Sequence, residues 1–193
     1  MGTSAIKSRT GPAWGIVVGL WAATGLGAQP EAPKATEYEI KAACLFRFAN
    51  FVTWPPEAFP ELETPLTIGI LGKDPFGEVL DRIVEGETVG GRKFKILRSS
   101  RLDALKGCHI LFVGKSEADR LDKILDDLDG AHVLTVGESP RFAERGGVVN
   151  FVLEENKVRF EFNPEAAKRA GIKIGSKLLS LGKIVEDERG KRR

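Results

Sequence analysis

Few residues in this chain could carry chemistry. Histidine occurs twice, as His109 and His132, each at the start of an apolar run that reads as a strand. Neither has a partner at metal-ligand spacing, so both read as strand-end or core side chains. No HExxH, GxSxG or CxxC occurs. The stretch "GILGKDPFG" (69–77) resembles a dinucleotide turn, but its glycines are spaced G-x-x-G-x-x-x-x-G. Lys73, Asp74 and Pro75 fill the place where glycines would let backbone approach a pyrophosphate. Carboxylates are plentiful, yet most fall on solvent-facing helix positions, as in "EADRLDKILDD". No nucleophile–base–acid arrangement can be assembled. The chain reads as non-enzymatic, with no cofactor and no metal. Its two cysteines, Cys44 on a first helix and Cys108 at the head of a strand, fit either a disulfide or two separate buried thiols.

The elements that must position these residues follow from periodicity and punctuation. A helix is expected from Glu37, with Ile40, Cys44, Phe48 and Phe51 on its apolar face, ended by Trp54-Pro55. "LTIGILG" (66–72) is continuously apolar, as a strand covered on both faces requires. "KDPFGEVLDRIVEG" opens a helix with Asp74 as cap and Pro75 at its first position. "RKFKILR", "CHILFVG" and "HVLTVG" are further strands. Between them lie a short helix in "RLDALKG" and a longer one in "SEADRLDKILDDL", capped by Ser116. The alternation predicts an α/β fold: one three-layer domain, a mainly parallel sheet flanked by helices. "VVNFVLEENKVRFEF" breaks the rhythm as a C-terminal β-hairpin on one edge. "PEAAKRAG" and "KIGSKLLSLGKIV" close the domain as helices. In such folds ligands sit at the carboxyl ends of the strands. That makes Lys73, Asp74, Phe76, Lys115, Glu138 and Ser139 the candidate crevice.

Length and composition set the frame. With 193 residues, 42% apolar and 29% charged, the chain suits one globular domain. A formal charge of +2 gives no reason to expect a nucleic-acid partner. Residues 1–28 differ in kind. Lys7 and Arg9 precede an uncharged apolar run from Ala13 to Leu26, followed by the small residues Gly25–Ala28. That order predicts a cleaved secretory signal. The run is broken by glycines and shorter than the roughly 20 residues a membrane span needs. Residues 29–36 then form a flexible lead-in, 37–185 the domain and 186–193 a disordered tail.

"FRFANFVTWPPEAFP" (46–60) carries five aromatic residues and three prolines. Either all five aromatics are core, or Arg47, Phe51 and Trp54 edge a partner or subunit surface, where aromatics and Arg are enriched. Lys173 and Lys177, near the C-terminus, are the other candidates for that surface.

Taken as an ordered series, "EIKAACLFRFANFVTWP", "LTIGILGKDPFG", "VGGRKF", "CHILFVG", "LTVGESPRFAERGGVVNFV" and "VRFEFNPEAAKRAGIKIGSKLLSLGKIV" resemble the YfiR-like family of bacterial periplasmic proteins. The resemblance runs from about Glu37 to Val185. It implies a periplasmic, non-catalytic protein, often a homodimer. Well-described members repress an inner-membrane diguanylate cyclase by binding its periplasmic region, which limits cyclic-di-GMP and biofilm formation. A small-molecule-binding sensory module is the alternative. Redox-controlled members carry further cysteines, one of them on the first strand, where this chain has Gly69. Cys108 matches a family cysteine position but its usual strand partner is missing, and with two cysteines in the chain a four-cysteine switch is excluded.

Overall fold

The computed structural model describes residues 36–191. The predicted signal and most of the lead-in therefore lie outside the described residues.

Helix α1 (Glu37–Phe48) begins with a reciprocal capping box: the Glu39 amide donates to the Thr36 hydroxyl, and the Thr36 amide to the Glu39 carboxylate. Its buried face is Lys41, Ala42, Leu45 and Phe48, continued by Ala49. Ile40, expected on that face, is exposed. The helix also stops six residues before the prolines. The amides of Asn50 and Phe51 turn back to Arg47 and Phe48, and Val52–Thr53 becomes a short strand, β1. What ends the helix is that strand's pairing with a distant one, not the proline rule.

The main sheet follows with β2 (Leu66–Leu71), α2 (Glu78–Val84), β3 (Thr88–Val89), β4 (Arg92–Ser99), β5 (Ile110–Val113), α3 (Leu121–Asp127) and β6 (Leu134–Gly137). It is completed by β7 (Val149–Glu154), β8 (Lys157–Phe162), α4 (Pro164–Arg169), β9 (Lys173–Ile174), α5 (Ser176–Leu179), β10 (Lys183–Ile184) and α6 (Glu188–Lys191). Eight strands form one sheet in the order β10-β8-β7-β6-β5-β2-β4-β3, while β1 and β9 make a separate antiparallel pair. The run β4-β2-β5-β6-β7 is parallel, as strand–helix alternation requires. Helices α1, α2 and α4 cover one face, through Leu45, Leu80 and Ala166. Helix α3 and the 3-10 turn at Leu102–Leu105 cover the other. This is the predicted three-layer α/β domain.

Several local expectations needed correction. Asp74 does not cap α2. It accepts from the Phe76 amide in a tight turn, and Gly77 takes φ 53°, so the helix starts at Glu78. Ser116 caps nothing either; its Oγ accepts from the Lys73 amide instead. The hairpin β7–β8 turns through Glu155 and Asn156, both at positive φ, as a two-residue primed turn requires. It is not the sheet edge, because β10 pairs outside β8. The segment expected as a closing helix is instead β9, one turn of α5 and β10. A Cβ at Gly182 would run into the Phe160 backbone, and Gly175 donates to the Phe51 carbonyl, so close approach replaces helix there. Residues 186–191, read as the start of a disordered tail, carry α6, with Asp187 buried and paired with Arg169.

Candidate functional site

The five aromatics of residues 46–60 have three fates. Phe48 is core, stacked on Phe151, and Phe46 packs on Phe94. Trp54 and Phe59 close over the amino end of β5. The Trp54 indole donates to the His109 carbonyl, and the His109 ring stacks on Phe59 at 4.3 Å. His109 is therefore a structural clasp. The Thr67 amide donates to its Nδ1, and its Nε2 donates to the Ala58 carbonyl. Burial holds its pKa below the usual 6.5. Only Phe51 is left substantially exposed, at 36%.

Phe51 stands at the β1–β9 pair, where Val52 registers with Ile174 and Thr53 with Lys173. The Gly175 amide donates to the Phe51 carbonyl at 2.7 Å. This brings two parts of the chain, over a hundred residues apart, into one strip. Lys173 and Lys177 are exposed along it, and exposed Arg47 precedes Phe51 by one helical turn. Of the five surface candidates, Phe51 and Lys173 are thus brought to one edge by the β1–β9 pair, and Arg47 and Lys177 are exposed within four residues of them in sequence. Trp54 is not among them, because its indole is turned into the clasp.

The candidate crevice divides in two. Phe76 is buried between Tyr38 and Phe112, and Asp74 is held by Arg98. Lys73 is exposed beside them. These three build structure rather than a cavity. Lys115, Glu138 and Ser139 do line one, of about 360 Å³, at the carboxyl ends of β5 and β6. Sequence reasoning missed its central member. Lys41, 2% exposed, sits on the core face of α1 and pairs with Glu37 and with Glu138 Oε2 at 2.5 Å. Burial alone would lower the Lys41 pKa, but the two carboxylates outweigh it and hold it above the usual value. Tyr38 Oη donates to Glu138 at 3.4 Å, and burial followed by the nearby carboxylate raises its pKa. The available signal was a lysine four residues after Glu37 inside an apolar stripe. Asn150 and Arg141, which also line the cavity, carried no such signal.

The cysteines do not pair. Both are free thiols in opposite halves of the core: Cys44 packs with the α1 side and Cys108 with the α3 side. The sheet separates them. Burial pushes Cys44 up to about 11 and Cys108 up to about 12, so neither is a nucleophile near neutral pH. Among the described residues no group of three or more His, Cys, Asp or Glu side chains is placed to hold a metal ion, and no helix is long and apolar enough to cross a membrane.

A family model described as YfiR/HmsC-like matches residues 38–183, nearly all of the domain. The chain belongs to that family, a family of regulatory proteins. No curated protein matches it.

Proposed function

We propose that this YfiR/HmsC-like chain is a periplasmic repressor that binds the periplasmic region of an inner-membrane signalling enzyme of diguanylate cyclase type, and so limits cyclic-di-GMP and biofilm formation. One observation supports the reading beyond family membership: Phe51 is exposed next to the β1–β9 pair that carries Lys173, with exposed Arg47 and Lys177 close by in sequence. An aromatic anchor with a basic rim is the usual make-up of a protein interface core and its edge. The β1–β9 pairing fixes the strip before any partner arrives, which lowers the ordering cost of binding.

To repress, the protein must bind the inactive form of its partner better than the active form; equal affinity would shift nothing. The partner's docking surface is accordingly apolar with an acidic rim. The direct test is binding of the purified protein to the periplasmic region of a diguanylate-cyclase-type membrane enzyme of the same cell. Arg47→Glu and Lys173→Glu are each expected to weaken binding about 10- to 100-fold with the fold intact. Binding that is unaffected by both reversals would move the interface elsewhere. The same strip is also where a homodimer would form, and sedimentation of the two variants reads that directly.

A further inference from the structure

We propose that the cavity at the carboxyl ends of β5 and β6 binds a small organic cation, through an ammonium or guanidinium group. Its volume, about 360 Å³, is that of a small-ligand site, and it lies where open parallel sheets bind ligands. Two groups on its wall point to the class. Asn150 is 3% exposed, and its Oδ1 is enclosed without a hydrogen-bond partner among the described residues. The amide cannot be turned round to cure this, because its Nδ2 donates to Glu161 Oε2 at 2.9 Å. A flip would set two oxygens against each other. An acceptor beside a carboxylate therefore asks for a donor that is also positive.

The charges already committed agree. Lys41 is occupied by Glu37 and Glu138, Lys115 lies 3.8 Å from Glu138 at the mouth, and Arg141 is paired with Glu144 and Glu188. Glu161 has only the Asn150 amide as a side-chain partner, and no ion pair joins it to a basic side chain among the described residues. At the Asn150–Glu161 end a phosphate or carboxylate would meet an acceptor oxygen and a carboxylate, with repulsion. A neutral polyol could satisfy Asn150 but would leave the Glu161 charge uncompensated. The cation could be a free amine or a Lys or Arg side chain of a protein partner, and the two are separable by competition.

Calorimetric titration of the mature protein with putrescine and agmatine tests the assignment, with glucose and inorganic phosphate as controls. The titration itself needs no partner, so whether a cation binds is independent of the repressor reading. The expected result is saturable binding of a cation, weakened at least tenfold by Glu161→Gln and by added salt, with neither control binding. The near-isosteric Glu161→Gln change should leave the circular dichroism spectrum unaltered. If the variant proved misfolded, competition between putrescine and glucose on the wild type would decide instead. No cation binding, undiminished binding to folded Glu161→Gln, or preferential binding of glucose or phosphate would each overturn the proposal. Where a cation binds, its release of a bound partner assigns the natural group to a partner side chain; failure to release it assigns a free amine.

Discussion

A Cβ at Gly69 would stand 3.2 Å from the Sγ of Cys108 and 3.4 Å from its Cβ, close to the spacing of a disulfide. Gly69 is on β2 and faces the α3 side of the core, where Cys108 is buried. The absent strand cysteine is thus a missing partner for Cys108, whereas Cys44 lies across the sheet from it.

The first prediction follows. Wild-type protein yields two titratable thiols after denaturation and almost none while folded. Gly69→Cys, purified under oxidising conditions, is expected two hydrogens lighter than its reduced form, with one thiol, Cys44, left to titrate. The Leu111 Cδ1 atom, 3.0 Å from the new Cβ, must give slightly. The bond should add about 2–4 kcal/mol of stability. Three free thiols in the folded variant would contradict the geometry.

Phe142 is clasped by two glycines. A Cβ on Gly137 or on Gly147 would fall inside the van der Waals envelope of its ring. The ring is fully buried, and the segment "ESPRFAERGG" turns around it. Gly147→Ala is expected to cost about 2–3 kcal/mol by overpacking, a fall of roughly 5–10 °C in Tm. Calorimetry of the variant checks this, and an unchanged Tm would mean the ring has room to move.

Lys41 and Glu138 form a buried pair with both side chains 3% exposed. Glu138→Ala strands the ammonium with Glu37 as its remaining carboxylate partner among the described residues and is expected to cost about 2–3 kcal/mol. Adding Lys41→Met should recover most of that loss, because the uncompensated charge is its source. A double variant no more stable than Glu138→Ala would place the cost in packing instead. Since the folded pKa of Lys41 is raised, the pair's contribution is complete at neutral pH and fades only as pH climbs through that raised value.

His109 behaves in the opposite sense. Its folded pKa is depressed by burial, and a proton at Nδ1 would oppose the Thr67 amide. The unfolded chain therefore takes up the proton first. Stability from this residue is present above the unfolded value near 6.5 and is lost as pH falls toward the folded one. An NMR titration should show the neutral Nε2–H tautomer persisting below pH 6.5. A midpoint at or above 6.5 would contradict the clasp.

The layered α/β fold was legible because it is written in local pattern. Continuous apolar runs such as Leu66–Leu71 and a periodic helix start such as that of α1 at Glu37 need no distant information. Non-local pairings overrode local rules elsewhere. Phe51 reads as helical until Ile174 pairs with Val52, and "KIGSKLL" reads as helix until Gly175 meets the Phe51 carbonyl. The same pairing gathered Phe51, Lys173 and Lys177, which the chain itself leaves far apart. Trp54 reads as either core or surface in the sequence, because nothing adjacent names its partner, His109, fifty-five residues on. The cavity was half legible. The strand-end rule found Glu138 and Ser139, but Lys41 and Asn150 reach it from another helix and another strand.

The central claim is repression through the Phe51 strip, and cyclic-di-GMP in cells tests it most directly. Deleting the gene is expected to raise cyclic-di-GMP and surface attachment, and wild-type complementation to reverse both. Complementation with Arg47→Glu should restore only part of the repression, although the exposed side chain can be reversed with Tm near that of wild type. Cyclic-di-GMP unchanged by the deletion would contradict the repressor account.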